Sequence, residues 1–196
     1  RTLSATHPIL FDMLTSHSEV LLLQGRLIEA AQMVDRALKG YEAQRGLRHP
    51  DRVDALNVLA GIEAKRGATI RAETILSESL ELGRAVLRAG HPSVGTTLAS
   101  IGQIRMQRGD TAAAEAPLRE AVKILEAALP YRNPEVARTM VSLATCLGSL
   151  GRRPEAEALL VASEARFARQ PYRRDELQAI RRTLAAWRAG APTVKK

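Results

Sequence analysis

One cysteine, one tryptophan, two phenylalanines and three tyrosines are all that these 196 residues contain of those types. The lone Cys146 excludes an intramolecular disulfide and suits a reducing compartment. With aromatics at 3%, the core must be built from Ala, Leu, Val and Ile. Ala and Leu favour helix, and no alternating run is long enough to make a strand. No apolar run approaches the roughly 20 residues that span a bilayer, so no membrane role is expected. The opening RTLSATHP has neither a methionine nor a signal-peptide pattern. The expectation is a segment of a longer, cytoplasmic protein. No nucleophile–base pair, phosphate loop or zinc-spaced Cys/His set is present, so the reading is a non-enzyme that takes no cofactor and no metal.

What is present is an ordinary balance of 45% apolar and 26% charged residues with a net charge of +8. The excess is local: residues 1–165 carry a net +1 and residues 166–196 a net +7. Arginine far outnumbers lysine, the usage of a GC-rich genome, which points to a bacterial source.

The strongest signal is a period of 42 residues. His7-Pro8, His49-Pro50, His91-Pro92 and Asn133-Pro134 each precede a glycine by the same interval: Gly25, Gly67, Gly109 and Gly151. Five residues beyond each glycine stands an alanine: Ala30, Ala72, Ala114 and Ala156. Apolar columns follow the prolines. One is Leu14, Leu56, Leu98 and Met140; the next is His17, Leu59, Ile101 and Leu143; the third is Val20, Ile62, Ile104 and Cys146. Steps of three keep to one helix face. Each unit therefore reads as two helices. Helix A covers about 9–24, 51–66, 93–108 and 135–150, with proline in its first turn, a His or Asn cap and a closing glycine. Helix B covers about 27–45, 69–89, 111–129 and 153–169, with Met33-Val34, Ile75-Leu76, Pro117-Leu118 and Leu159-Leu160 facing helix A. The alanines should mark the closest approach of A and B. Pro117, inside a B helix, should kink it or delay its start. A hairpin of this kind cannot bury its apolar face alone, so the units should stack.

The stretches HPDRVDALNVLAGIEAKRG (49–67) and RGDTAAAEAPLREAVKIL (108–125) resemble the tetratricopeptide repeat in its 42-residue, kinesin-light-chain-like form. The resemblance implies an all-α, right-handed superhelical solenoid of four helix-turn-helix hairpins. The organisation read is the end of a preceding truncated repeat at 1–6, then repeats at 7–48, 49–90, 91–132 and 133–174. A capping helix follows at 175–189, where Leu177, Ile180, Leu184 and Trp187 form a stripe, and a disordered basic tail at 190–196.

The resemblance also implies an inner face, made by helix A positions turned away from helix B, that binds protein or peptide segments. Those positions give Asp54, Asn57, Val58 and Lys65, then Ser100, Gln103 and Gln107, then Arg138, Ser142 and Thr145. Asn57 and Gln103 could each give and take a hydrogen bond with a peptide main chain. Kinesin-like units often carry two successive asparagines here, whereas Asn57 is followed by Val58, and the Lys/Asn set that clamps a terminal carboxylate is missing. The function expected is a protein–protein interaction scaffold or adaptor. The alternative is a regulatory or sensor module acting within a larger bacterial protein, attached to a kinase or other effector domain.

Other residues are read as structure. The repeat histidines lie roughly 10 Å apart if the units stack as packed helix layers, too far to share an ion, so they act as loop or cap residues. His17 should be partly buried and hydrogen-bonded; Cys146 should be core. The basic end reads as solvated charge or a contact for an acidic protein, and not as a nucleic-acid site. The chain should be mostly monomeric, with weak self-association through Ile9, Leu10 and Met13 at the first unit.

Overall fold

The computed structural model describes residues 8–168 and 174–189. The truncated repeat expected at 1–6, His7, the end of the fourth repeat at 169–173 and the tail expected to be disordered at 190–196 lie outside the described residues. The described residues form nine α-helices and no strand: α1 (Pro8–Leu23), α2 (Leu27–Arg45), α3 (Arg52–Lys65), α4 (Thr69–Val86), α5 (Pro92–Gln107), α6 (Thr111–Ala128), α7 (Pro134–Ser149), α8 (Arg153–Phe167) and α9 (Arg174–Arg188). The chain is all-α and built of antiparallel helix pairs. It divides into two compact units, residues 1–100 and 101–196, with the boundary inside α5.

The same local chemistry starts and stops each hairpin. Asn133 Oδ1 accepts the Glu135 N–H at 2.9 Å at the start of α7. His49 and His91 do this job with an imidazole nitrogen, Nδ1 accepting the N–H of Asp51 and of Ser93 at 3.2 Å. At the turn, Gly25, Gly67, Gly109 and Gly151 adopt φ between 77° and 86°. The next residue's N–H then reaches back to a carbonyl five residues earlier, as in Arg26 to Leu21 and Arg152 to Leu147, both at 2.9 Å. This left-handed closure satisfies carbonyls that the helix end would leave bare and turns the chain into helix B.

Unit 1 packs α1 on α2, α3 on α4, and α2 against α3. Its core joins Phe11, Leu14 and Leu21 to Ala30, Val34, Ala37 and Tyr41, and these to Ala55, Val58 and Ile62. Phe11 meets Tyr41 edge to face at 5.6 Å, over Gly40, where a Cβ would stand 2.1 Å from the Phe11 ring. Tyr41 donates to Asp12 Oδ1 at 2.6 Å; burial and this bond push the phenol pKa up. Unit 2 packs α6 on α7, α7 on α8, and α8 on α9. Ile180 and Leu184 are buried in its core, and Leu177 and Trp187 pack against it. This cap begins at Arg174, one residue before the boundary read from sequence.

Three local expectations are corrected. Pro117 does not delay the start of α6, which begins at Thr111 and runs on to Ala128. The carbonyl that the missing N–H would have met, on Ala113, instead accepts Arg105 Nη1 at 3.1 Å. His17 is exposed and not half-buried, and Val20 is 49% exposed where Ile62, Ile104 and Cys146 are buried. The third concerns the apolar columns, which belong to two different faces of helix A. Phe11, Leu14, Ser18 and Leu21 turn toward the partner helix B. The columns of Met13, His17 and Val20 form the other face, which in the later units is buried: Ala55 and Ile62 in unit 1, Thr139, Leu143 and Cys146 in unit 2. There α2 lies against α3 and α6 against α7, whereas no described helix lies on that face of α1.

Candidate functional site

The close A–B contact has a second half that the sequence reading missed. Ten residues after each proline stands a small residue: Ser18, Ala60, Gly102 and Ala144. Ser18 Oγ donates to the Ala30 carbonyl at 2.8 Å, and a Cβ on Gly102 would stand 3.2 Å from the Ala114 carbonyl oxygen. All four residues of the alanine column are fully buried. Small residues on both helices let the backbones approach, which directs the rest of each A helix outward.

In unit 1 the expected site residues divide. Asp54 and Lys65 are exposed and Ser100 is half-buried. Val58 is 9% exposed and belongs to the unit's core, so it offers a partner no side-chain contact. Asn57 is half taken. Its Oδ1 lies 2.9 Å from Ser79 Oγ and 3.0 Å from Thr97 Oγ1, and the single Ser79 hydroxyl hydrogen is shared between that oxygen and the Val53 carbonyl at 3.1 Å. Only the Asn57 amide nitrogen is left to serve a ligand.

In unit 2 the expected residues come together. Gln103 Nε2 donates to Ser142 Oγ at 3.0 Å between α5 and α7. Ser142 donates to the Arg138 carbonyl at 3.2 Å, and Thr145 to the Val141 carbonyl at 2.9 Å, so neither hydroxyl is left unsatisfied. Arg138 is exposed and paired with Glu135 at 2.8 Å; Gln107 and Thr145 are exposed as well. The result is a polar face of small and amide side chains that the core does not use.

Unit 2 also carries a closed ring of charge between α6 and the start of α8. Glu115 pairs with Arg119 at 2.7 Å and Arg152 at 2.5 Å, and Glu155 with Arg119 at 2.8 Å and Arg152 at 2.6 Å. The hydrogen bond from Arg119 holds the Glu115 carboxyl below its usual range, and Arg152 does the same to Glu155. Sequence showed only the Glu115–Arg119 step of four; the other members are a repeat away. Cys146 is buried, its thiol donating to the Thr111 carbonyl at 3.2 Å, and burial pushes its pKa up. Among the described residues no group of three His, Cys, Asp or Glu is placed to hold a metal, and no helix is long and apolar enough to cross a membrane.

Antiparallel helix pairs closed by a left-handed glycine and packed through small residues define the class, an all-α helical-repeat protein. Residues 53–127 match the family model for the tetratricopeptide repeat. That stretch reads as tetratricopeptide repeats, and the fold of the chain is like that of kinesin-light-chain-like repeat proteins. The putative kinesin light chain TPR-like repeats of Podosopora anserina are 21% identical with a TM-score of 0.73, over 94% of this chain and 88% of that one. BtubC (BKLC) of P. vanneervenii is 18% identical with a TM-score of 0.67, over 100% and 70%. The Yersinia enterocolitica type III secretion translocator chaperone SycD is 20% identical with a TM-score of 0.55, over 70% and 91%. At these identities the likeness is one of fold. No curated protein matches the sequence.

Proposed function

We propose that the chain is a non-catalytic interaction scaffold that holds a protein or peptide segment along the exposed faces of its A helices. The observation that carries this reading is the Gln103–Ser142 contact, which joins the outward faces of α5 and α7 in unit 2. A segment laid there meets Gln103, Gln107, Arg138, Ser142 and Thr145. In unit 1 the equivalent contacts are Asp54, Lys65, Ser100 and the Asn57 amide nitrogen. The amides bond to the partner's main chain, and the small side chains let that main chain come close. The fold shared with a protein named as a translocator chaperone supports a protein partner over a nucleic acid. The repeats run 7–48, 49–90, 91–132 and 133–174, and the chain is mostly monomeric in the cytoplasm.

A photo-crosslinking residue at Gln107 identifies the partner, with the same residue at Glu120 on α6 as control. Gln103→Ala with Gln107→Ala then lowers its affinity by about 1–3 kcal/mol, two hydrogen bonds at roughly 0.5–1.5 kcal/mol each. Stability moves by no more than about 0.5 kcal/mol. If Arg173→Glu with Arg174→Glu abolishes binding in a salt-dependent way while the glutamine pair leaves it intact, the basic end is the site and this reading fails.

A further inference from the structure

Two arginines are buried among the described residues, one in each unit, and they are treated differently. Arg166, in unit 2, is compensated on several sides. Its Nη1 donates to the Tyr131 carbonyl at 2.7 Å, its Nη2 to Glu126 at 2.6 Å, and its guanidinium lies 4.4 Å from the centre of the Tyr131 ring. Arg52, in unit 1, is 7% exposed, and its one contact is Nη2 to Glu78 Oε1 at 3.5 Å, the limit of a hydrogen bond. The Glu78 side chain is 59% exposed and keeps most of its hydration, so it offsets little of the cost of burying the guanidinium. Arg52 Nε has no hydrogen-bond partner among the described residues, and neither does Arg166 Nε; what sets Arg52 apart is the weak compensation of its terminal nitrogens.

The repeat gives no packing reason for a cation here. The residues one period away in the same column are Leu10, Val94 and Val136, and the two valines are buried as core. Arg52 therefore breaks an apolar column without being paid for by the fold. It also walls a cleft of about 300 Å³ within unit 1. Leu47, Leu82 and Ala85 give that cleft an apolar lining, and Arg48 adds a second cation. Glu78 and Glu81 complete the lining.

We propose that Arg52 anchors a binding site for a carboxylate carried on a short aliphatic stem. The ligand's carboxylate takes Nη2 in place of Glu78 and, as the guanidinium turns toward the cleft, Nε as well, in the parallel, two-point arrangement that a guanidinium offers. Its stem lies on Leu47, Leu82 and Ala85. Glu78, already loosely held, swings to solvent as the ligand displaces it. The site is separate from the A-helix faces and stands whether or not those faces bind a segment.

The test uses the 196-residue chain and backbone-amide NMR. The probes are 4-methylpentanoate, its neutral amide, and acetyl-Gly-Leu with a free or an amidated end. The acid is expected to shift amides within 47–53 and 78–85 saturably, and the neutral amide to leave them unmoved. Arg52→Met restores the apolar column, so the protein is expected to keep or raise its Tm while losing about tenfold or more in affinity for the acid, the worth of a charge-assisted hydrogen bond. Glu78→Gln removes the internal competitor and is expected to tighten binding several-fold, a gain that a merely structural Arg52 gives no reason to see. Tighter binding of free acetyl-Gly-Leu than of the small acid assigns the site to a protein chain end; the reverse assigns it to a small carboxylic acid. Equal shifts from acid and neutral amide overturn the proposal, as does undiminished binding of the acid to Arg52→Met. So does the absence of any saturable shift in the native protein.

Discussion

At the scale of single residues, the decisive positions are those where two helices touch. The Ala114 carbonyl and the Leu118 side chain both lie against Gly102, and Ala114 is fully buried. Ala114→Leu has nowhere to put its extra methylenes and is expected to cost about 1–3 kcal/mol, read as a lower urea midpoint. An unchanged midpoint would mean the helices meet elsewhere. Asn57 behaves less like a surface residue than its sequence position suggests. Its oxygen serves two hydroxyls of the unit 1 interior. Asn57→Ala is therefore expected to cost about 1–2 kcal/mol of stability by the same measurement, rather than the few tenths of an exposed change.

At the scale of elements, helix caps and inter-helix ion pairs do the work. The stripe of α9 docks with Trp187 against Gly148, where a Cβ would stand 2.7 Å from the indole. The only tryptophan is expected to emit at blue-shifted wavelength and to move red on unfolding. Gly148→Val should move it red in the folded protein, because the ring loses its seat; emission like that of free tryptophan in the native chain would detach the cap. The ring of Glu115, Arg119, Arg152 and Glu155 fastens α6 to the start of α8. Both carboxyl pKa values are lowered in the folded chain. The stability they give is thus present above the unfolded carboxylate value of about 4.3 and lost as pH falls through the folded values. Acid titration of the Tm should show a steeper fall for the native chain than for Glu115→Gln. High salt should shrink that difference, since these groups are partly exposed.

At the scale of the whole molecule, the two ends of the chain differ. The last unit is closed by α9, whose Arg181 and Arg188 pair with Glu164 and Glu157 on α8, both at 2.7 Å. In the first, no described helix covers one side of α1, where Met13, Val20 and Leu23 are 56%, 49% and 76% exposed. Apolar stripes of this kind seek cover. Weak self-association is expected in sedimentation equilibrium at high concentration, and Met13→Glu with Val20→Lys should abolish it. A strictly monomeric native particle would show that water alone suffices for this face.

How far the sequence carries depends on the range of the forces involved. Helix starts and stops are local: proline, a capping Asn or His, and a glycine with positive φ act over a few residues, and the period of 42 repeated them often enough to read. The hairpins of α1 to α8 and the cap stripe were legible for that reason. The allocation of side chains was not. Whether Asn57 faces a ligand or the interior depends on Ser79 and Thr97, 22 and 40 residues away. Whether Val20 is buried depends on a neighbouring helix B, and whether Pro117 leaves a bare carbonyl depends on Arg105. Arg52 illustrates the division. The sequence places an arginine in an apolar column, but only the tertiary structure decides that no counter-charge comes close enough to satisfy it, because hydrogen bonds and burial are set by distance in space and not along the chain.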